Sequence, residues 1–319
     1  MPNRHKPKRL RHGDPVGAVA PASAPPDPSS IDAAVPALDG FGFKPALAKN
    51  IRTQHGFLAK TDRERAVDLM QRFCDRRVRT IFCLRGGYGS ARTPGRLDYE
   101  LIAENPKLLY GCSHITSLHC ALLHNLNLAT LNGPTLSGAL ADPQVPAFTR
   151  NSFFRNTIEP IPAGSVCASS EGETISVLRG GKAMGRLAGG YLCLICASLA
   201  TPFAPSLRET ILFLEEVGNK PYRMDRMPGH LLNNGILNQV AGVEIGINHD
   251  CHDSSARAGG EFRQSARDVI CERLGGLSVP VVMGLPSGHV APKATIPLGV
   301  KGEFDADCGD LMIQESALN

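Results

Sequence analysis

The sequence predicts an α/β protein built on a parallel, layered sheet. Three observations carry that expectation. Apolar and β-branched runs at 78–84, 108–110 and 128–131 read as short buried strands. Helical patterns separate them: Thr61-x-x-Glu64 is a capping box followed by a stripe of Ala66, Val67, Met70 and Phe73, and Ile115, Leu118 and Leu122 recur at helical spacing. Two loops, RGGYGS at 85–90 and GCSHIT at 111–116, follow directly on strands. Functional loops of parallel sheets gather at the carboxyl ends of strands, so these two are expected to meet on one edge.

The chain is long enough for one large domain or two ordinary ones, at 319 residues, and its 42% hydrophobic content can fill a full core. Residues 1–12 are basic and carry no apolar core segment, so they are not a secretory signal. Arg4, Lys6, Lys8, Arg9 and Arg11 account for the basic balance, since removing these five charges takes the net charge from +4 to −1. The body is near neutral, and no nucleic-acid or membrane partner is expected; residues 1–12 are expected to be a disordered tail. No apolar run approaches 18 residues, so no transmembrane helix is expected. Ten cysteines lie scattered, several within apolar runs such as TIFCL and YLCLICASL. They read as small core residues in a reduced cytoplasm rather than a disulfide framework. Cys193-x-x-Cys196 has redox or zinc spacing but no second pair at zinc-site spacing.

In chain order, 13–21 opens with a short strand and ends in a Pro-bearing loop. Ser29 to Leu38 reads as a helix, followed by a glycine turn and a second extended stretch. The capping-box helix, the 78–84 strand, the 108–110 strand with its helix, and the 128–131 strand complete a domain over 13–145. The stretch 146–174, with four prolines nearby and the polar run SSEGET, is expected to cross between domains. A second domain over 175–319 contains the strand ETILFLEEVG, the amphipathic PYRMDRMPGHLLNNGIL, and buried strands VAGVEIGI and VPVVMGLPSGH.

Chemistry concentrates at Ser113. It stands between a strand and a helix, facing the positive helix end and its unpaired N–H groups, where an oxyanion can be stabilised. It is read as a nucleophile. A serine in that place is also a common N-cap, and the stretch lacks the second glycine of the G-x-S-x-G elbow, position 115 being Ile. RGGYG lacks both phosphate-loop patterns; Gly86 and Gly87, without Cβ atoms, suit close backbone approach to a bound carbonyl. His289 ends a buried strand beside Gly288, and Glu215 ends the apolar run ILFL, where a carboxylate needs a partner such as a histidine. HDCHD at 249–253 looks metal-like in composition, but adjacent residues rarely converge on one ion, and no metal is expected.

At these residues the sequence resembles the LD-carboxypeptidases of peptidase family S66, which also contains the microcin C7 self-immunity peptidases. RGGYGS stands unchanged at 85–90; the nucleophile motif appears as GCSHIT; LFLEE, PYRMDRM, SGH and IPLGV follow in family order. The resemblance implies a Rossmann-like or flavodoxin-like N-terminal domain carrying the serine. A smaller β-rich α+β C-terminal domain would carry its partners. It implies Ser113 as nucleophile, His289 as general base and Glu215 as orienter. An oxyanion hole would come from the backbone N–H groups of Gly87 and His114. It implies a cytoplasmic serine carboxypeptidase of murein recycling with a small peptide substrate, no cofactor and no metal. Family members are often dimers, which leaves a homodimer open. A substrate carboxylate needs a cation, and Arg85 and Arg226 are the expected ones, with Tyr88 beside them. His114 replaces the family's usual Asp, Cys112 a Tyr, and Tyr191 and Asn132 also depart, all at expected pocket positions. Two alternatives stay open: an immunity-type peptidase acting on a peptidyl or aminoacyl adenylate, and a non-catalytic muropeptide binder. The 5% aromatic content without Trp speaks against an adenine-stacking face.

Overall fold

The computed structural model describes residues 5–49, 51–167, 175–252 and 264–319. Arg4, the polar run at 169–174 and Asp253 lie outside the described residues. The chain first forms strands β1 (Pro15–Val19), β2 (Lys44–Leu47), β3 (Thr80–Cys83), β4 (Leu108–Gly111) and β5 (Thr130–Asn132). Helices α1 (Ser29–Gly40), α2 (Asp62–Cys74), α3 (Tyr99–Glu104), α4 (Thr116–Leu126) and α5 (Ala147–Thr157) accompany them. The five strands pair in parallel, and every residue of β3, β4 and β5 is buried. Sheets covered by helices on both faces need such continuous apolar runs. The capping box at Thr61 and Glu64 closes the start of α2 as its sequence predicts.

The second half adds β6 (Gly164–Ser165), β7 (Ser176–Arg179), β8 (Lys182–Tyr191), β9 (Thr210–Glu215), β10 (Gly242–Ile247), β11 (Val281–Gly288), β12 (Ile296–Leu298), β13 (Lys301–Asp305) and β14 (Asp310–Ile313). Its helices are α6 (Leu192–Ser198), α7 (Pro221–Asn233) and α8 (Ala266–Leu274). All these strands but β12 form an eight-stranded sheet, β6-β14-β13-β8-β9-β10-β11-β7, whose centre from β8 to β11 is parallel. The mixed α/β fold on two sheets follows the expected class. No helix among the described residues is long and apolar enough to cross a membrane.

Three segments depart from the expected division of the chain. β12 leaves the second half and pairs antiparallel with β5, making the first sheet six-stranded, β12-β5-β4-β3-β1-β2. The expected linker contains α5, whose Phe153 packs against Phe82 and Tyr110 of the first sheet. The described part of the expected disordered tail is tied down. Leu10 is fully buried and its N–H donates to Thr157 O at 2.9 Å, while Pro7 and Arg9 exchange backbone bonds with Asn319. The partners that fix it lie more than a hundred residues away in sequence, which is why local composition reads as a solvated tail.

The two sheets meet at α4. Its residues from Thr116 to Leu122 are buried, and Thr116 Oγ1 accepts a hydrogen bond from Tyr191 N at 3.0 Å, at the end of β8. Gly190 makes this approach possible: a Cβ there would stand 2.5 Å from Thr116 Oγ1, and its φ of +135° suits only glycine. Register then sets Tyr191 beside Glu215 at the end of β9. The carboxyl ends of β4, β8, β9 and β11 thus converge on one crevice.

Candidate active site

Ser113 does not cap α4. The residue preceding that helix, Ile115, makes no side-chain cap, and Ser113 opens a short 3-10 turn ahead of it. Its φ is +59°, in the left-handed region that an L-residue enters only at a cost of about 1–3 kcal/mol. Such strain lifts the side chain out of the strand direction and presents the hydroxyl to the crevice, where Ser113 is 7% exposed. The elbow exists without a glycine at 115 because Ile115 is itself fully buried in the core beside Gly111.

Gly86 lies directly against this turn. A Cβ on it would meet Ser113 Cβ at 2.6 Å and Ser113 Oγ at 3.0 Å, so only glycine lets the RGGYG loop come so near. Gly87 has φ +87°, and a Cβ there would overlap Ser23, whose N–H bonds Gly86 O and whose Oγ accepts from Tyr88 N at 2.9 Å. Ser90 Oγ in turn donates to His114 O, tying this loop to the serine turn. Among the described residues, no acceptor takes the N–H of Gly87 or of His114. Both donors remain available to a ligand.

The partners come from the second sheet. Glu215 is 1% exposed, and its Oε2 lies 2.9 Å from His289 Nδ1. Its other oxygen, Oε1, is buried with no hydrogen-bond partner among the described residues. A carboxylate so enclosed fixes the ring, with Nδ1 as the donor and Nε2 turned outward. Ser113 and His289 line one crevice with Arg85, Gly86, Gly87, Cys112, Tyr191, His249 and Lys293. The crevice has a volume of about 730 Å³. Ser113 Oγ makes no direct hydrogen bond with His289 in this structure; apo catalytic pairs are often long and tighten on binding.

A row of rings crosses the same region. Centroids are 5.2 Å apart for Phe57 and Tyr88, 4.9 Å for Tyr88 and His114, 5.7 Å for His114 and Tyr191, and 5.8 Å for Tyr191 and His289. Phe57 stands at the outer end of this row, and Tyr88 beside it is 53% exposed. Burial, and secondarily the charge of His289, push His114 down to about 4, so its ring is neutral at pH 7. Its Nδ1 is buried with no hydrogen-bond partner among the described residues. Glu216, next to Glu215, is fully buried yet well held by Cys193 N, Val217 N and Asn219 Nδ2, and burial raises its pKa.

The expected site residues therefore separate into groups. Ser113, Glu215, His289, Gly87 and His114 meet around the crevice, and Arg85 lines it, its guanidinium held by Ala24 O at 3.2 Å. Arg226 does not join them: it lies exposed on α7, whose Met224, Met227 and Leu231 face inward. His249 lines the crevice through its bridge to Val217. No group of three metal-ligating side chains occurs among the described residues. Sequence reasoning missed Lys293, a buried cation in the crevice; its position four residues beyond His289 was the available signal.

Comparison with known proteins returns one family. The model of the LD-carboxypeptidase N-terminal domain matches residues 16–133, and that of the LD-carboxypeptidase C-terminal domain matches 184–304. A protein of Bacillus subtilis named "Probable murein peptide carboxypeptidase" is 35% identical over 304 residues, covering 94% of this chain and 92% of its own. The crystal structure of a muramoyltetrapeptide carboxypeptidase from Oxalobacter formigenes superposes with a TM-score of 0.80 at 27% identity, covering 95% of this chain and 99% of that one. The microcin C7 self-immunity protein MccF, in an inactive-mutant apo state, shares the fold with a TM-score of 0.87 at 24% identity over 98% and 99% of the two chains.

Proposed function

The chain belongs to the LD-carboxypeptidase family and is a peptidase, and from that premise we propose that it is a serine LD-carboxypeptidase acting on murein tetrapeptides. It would cleave between an L-centre of the diamino acid and the terminal D-Ala, in cytoplasmic recycling of cell-wall peptides. The observation that carries this reading is the 2.9 Å contact of buried Glu215 with His289 in the crevice that Ser113 enters at φ +59°. The names of the Bacillus and Oxalobacter relatives support the substrate class.

The chemistry follows from the geometry. His289 Nε2 takes the proton of Ser113 as Oγ attacks the scissile carbonyl carbon. The oxygen of that carbonyl becomes an oxyanion, received by the N–H groups of Gly87 and His114. Glu215 holds Nδ1–H and stabilises the imidazolium. The tetrahedral adduct collapses, the C–N bond breaks, and the amine of D-Ala leaves with the proton from His289. An ester on Ser113 remains. Water then attacks it, gives its proton to His289, and the C–O bond to Ser113 breaks as the serine regains a proton. The tripeptide leaves as a free acid. A backbone N–H suffices at position 114, so the neutral His114 leaves this scheme intact.

The exposed rings of Tyr88 and Phe57 favour a second reading, an immunity-type peptidase cleaving a peptidyl or aminoacyl adenylate, because they offer an adenine a stacking face near the crevice. Turnover of both substrate types by the purified protein tests the choice. Release of D-Ala from tetrapeptide, lost in Ser113→Ala, is expected. Turnover of the adenylate alone would replace the first reading with the second.

A further inference from the structure

Three lysines are buried among the described residues, and two have ordinary partners. Lys60 is ion-paired with Asp68, and Lys107 Nζ donates to the carbonyl oxygens of Asp75 and Val78 at 2.9 and 2.8 Å. Lys293 differs. It is 4% exposed, lines the crevice with Ser113 and His289, and no oxygen among the described residues accepts from its Nζ. Its neighbour is the thiol of Cys112, the residue before Ser113. Burial raises the pKa of that thiol, and the Lys293 side chain, hydrogen-bonded to it, opposes that rise. A buried side-chain nitrogen that no oxygen engages is an open donor, and an anionic ligand in the crevice can fill it.

The backbone around Lys293 is held firmly. Its N–H donates to Thr149 Oγ1 on α5 at 2.8 Å, and the next residue, Ala294, bonds back to Pro286 O at 2.6 Å. The loop between His289 and β12 is thereby clamped to the first sheet and the second at once. Its direction matters. In the proposed cleavage the departing amine receives its proton from His289, so the departing residue must lie on the His289 side of Ser113. Its α-carboxylate is two bonds from that nitrogen. Arg85, by contrast, belongs to the first-sheet loop that carries Gly86 and Gly87, and it already donates to Ala24 O.

Resting on the carboxypeptidase reading, we propose that Lys293 is the cation that binds the free C-terminal carboxylate of the substrate and so makes the site specific for the last residue of a peptide. An ammonium–carboxylate contact formed in a desolvated crevice is a charge-assisted bond, and truncating one partner of such a pair costs on the order of 100-fold in binding or turnover. Arg226, out on the surface, takes no part.

The test compares a murein tetrapeptide ending in free D-Ala with the same peptide ending in D-alaninamide. The unaltered protein is expected to favour the acid by about 100-fold in kcat/KM. Lys293→Met is expected to lose that preference: the acid falls by about 100-fold and the amide stays within about threefold. Labelling of Ser113 by a neutral fluorophosphonate reports whether the variant's site is intact. An unchanged acid preference in an intact Lys293→Met overturns the inference and leaves the carboxypeptidase reading standing. Equal turnover of acid and amide by the unaltered protein overturns it whatever the variant does. Failure of the unaltered protein to release D-Ala from either peptide overturns the carboxypeptidase reading, and this inference with it.

Discussion

Replacing Glu215 by Gln removes one charge from the site and little volume. In the folded protein Oε2 lies 2.9 Å from His289 Nδ1, and the carboxylate is 1% exposed. During attack His289 becomes an imidazolium, so two opposite charges stand with centres about 4 Å apart. At an effective dielectric of about 20 their attraction is about 4 kcal/mol, a factor of about 10³ in rate. The amide also no longer dictates which ring nitrogen carries the proton, and a wrong tautomer adds up to another tenfold. The expected loss in kcat is therefore about 10³- to 10⁴-fold. Stability should move the other way or not at all. Glu215 Oε1 is buried with no hydrogen-bond partner among the described residues, so the native carboxylate is only half satisfied, and its neutral isostere relieves that cost. D-Ala release from tetrapeptide gives kcat, and thermal unfolding followed by circular dichroism gives Tm. A loss below tenfold, or one accompanied by a matching fall in Tm, would refute the reasoning that Glu215 acts through His289.

Gly86→Ala puts a Cβ 2.6 Å from Ser113 Cβ and 3.0 Å from Cys112 O, so the serine turn or the loop must shift; a displacement of about 1 Å predicts roughly 10²-fold less activity with the fold kept, and activity within threefold of the parent would contradict it. His119 tests a pH dependence. Burial lowers it from 6.5 to about 4, against a smaller opposing effect of its bond to Gly111 O. The unfolded chain then binds the extra proton between those values, so stability is full above pH 6.5 and falls as pH drops toward 4, by about 3 kcal/mol from this group. Urea titrations of the parent and His119→Gln at pH 7 and pH 4.5 should show the smaller pH loss in the variant; equal losses would remove His119 from the account.

The strands were legible because β3, β4 and β5 are buried throughout and lie within mostly apolar or β-branched runs. The loops RGGYGS and GCSHIT were legible because glycines and a serine follow immediately on those runs, and the ends of β9 and β11 showed Glu215 and His289 the same way. What stayed hidden was long-range. β12 pairs across more than 160 residues with β5, and Leu10 is buried by partners near Thr157 and Asn319. The positive φ of Ser113 leaves no mark in composition, so the stretch taken alone reads first as a cap. Arg226 was misplaced for a local reason that periodicity could have corrected. Met224, Met227 and Leu231 define the inward stripe of α7, and position 226 falls off it. Lys293 carried one sequence signal, its place four residues beyond His289; that it is buried in the crevice is visible only once the two sheets are assembled.

The reactive hydroxyl itself is measured most directly by intact-mass spectrometry after treatment with a fluorophosphonate. The account predicts one covalent adduct, mapped to Ser113, absent in Ser113→Ala and formed at least about 10³-fold more slowly in His289→Ala. No adduct on the folded parent, or one whose rate ignores the loss of His289, would contradict the claim that a residue of one sheet activates a serine of the other.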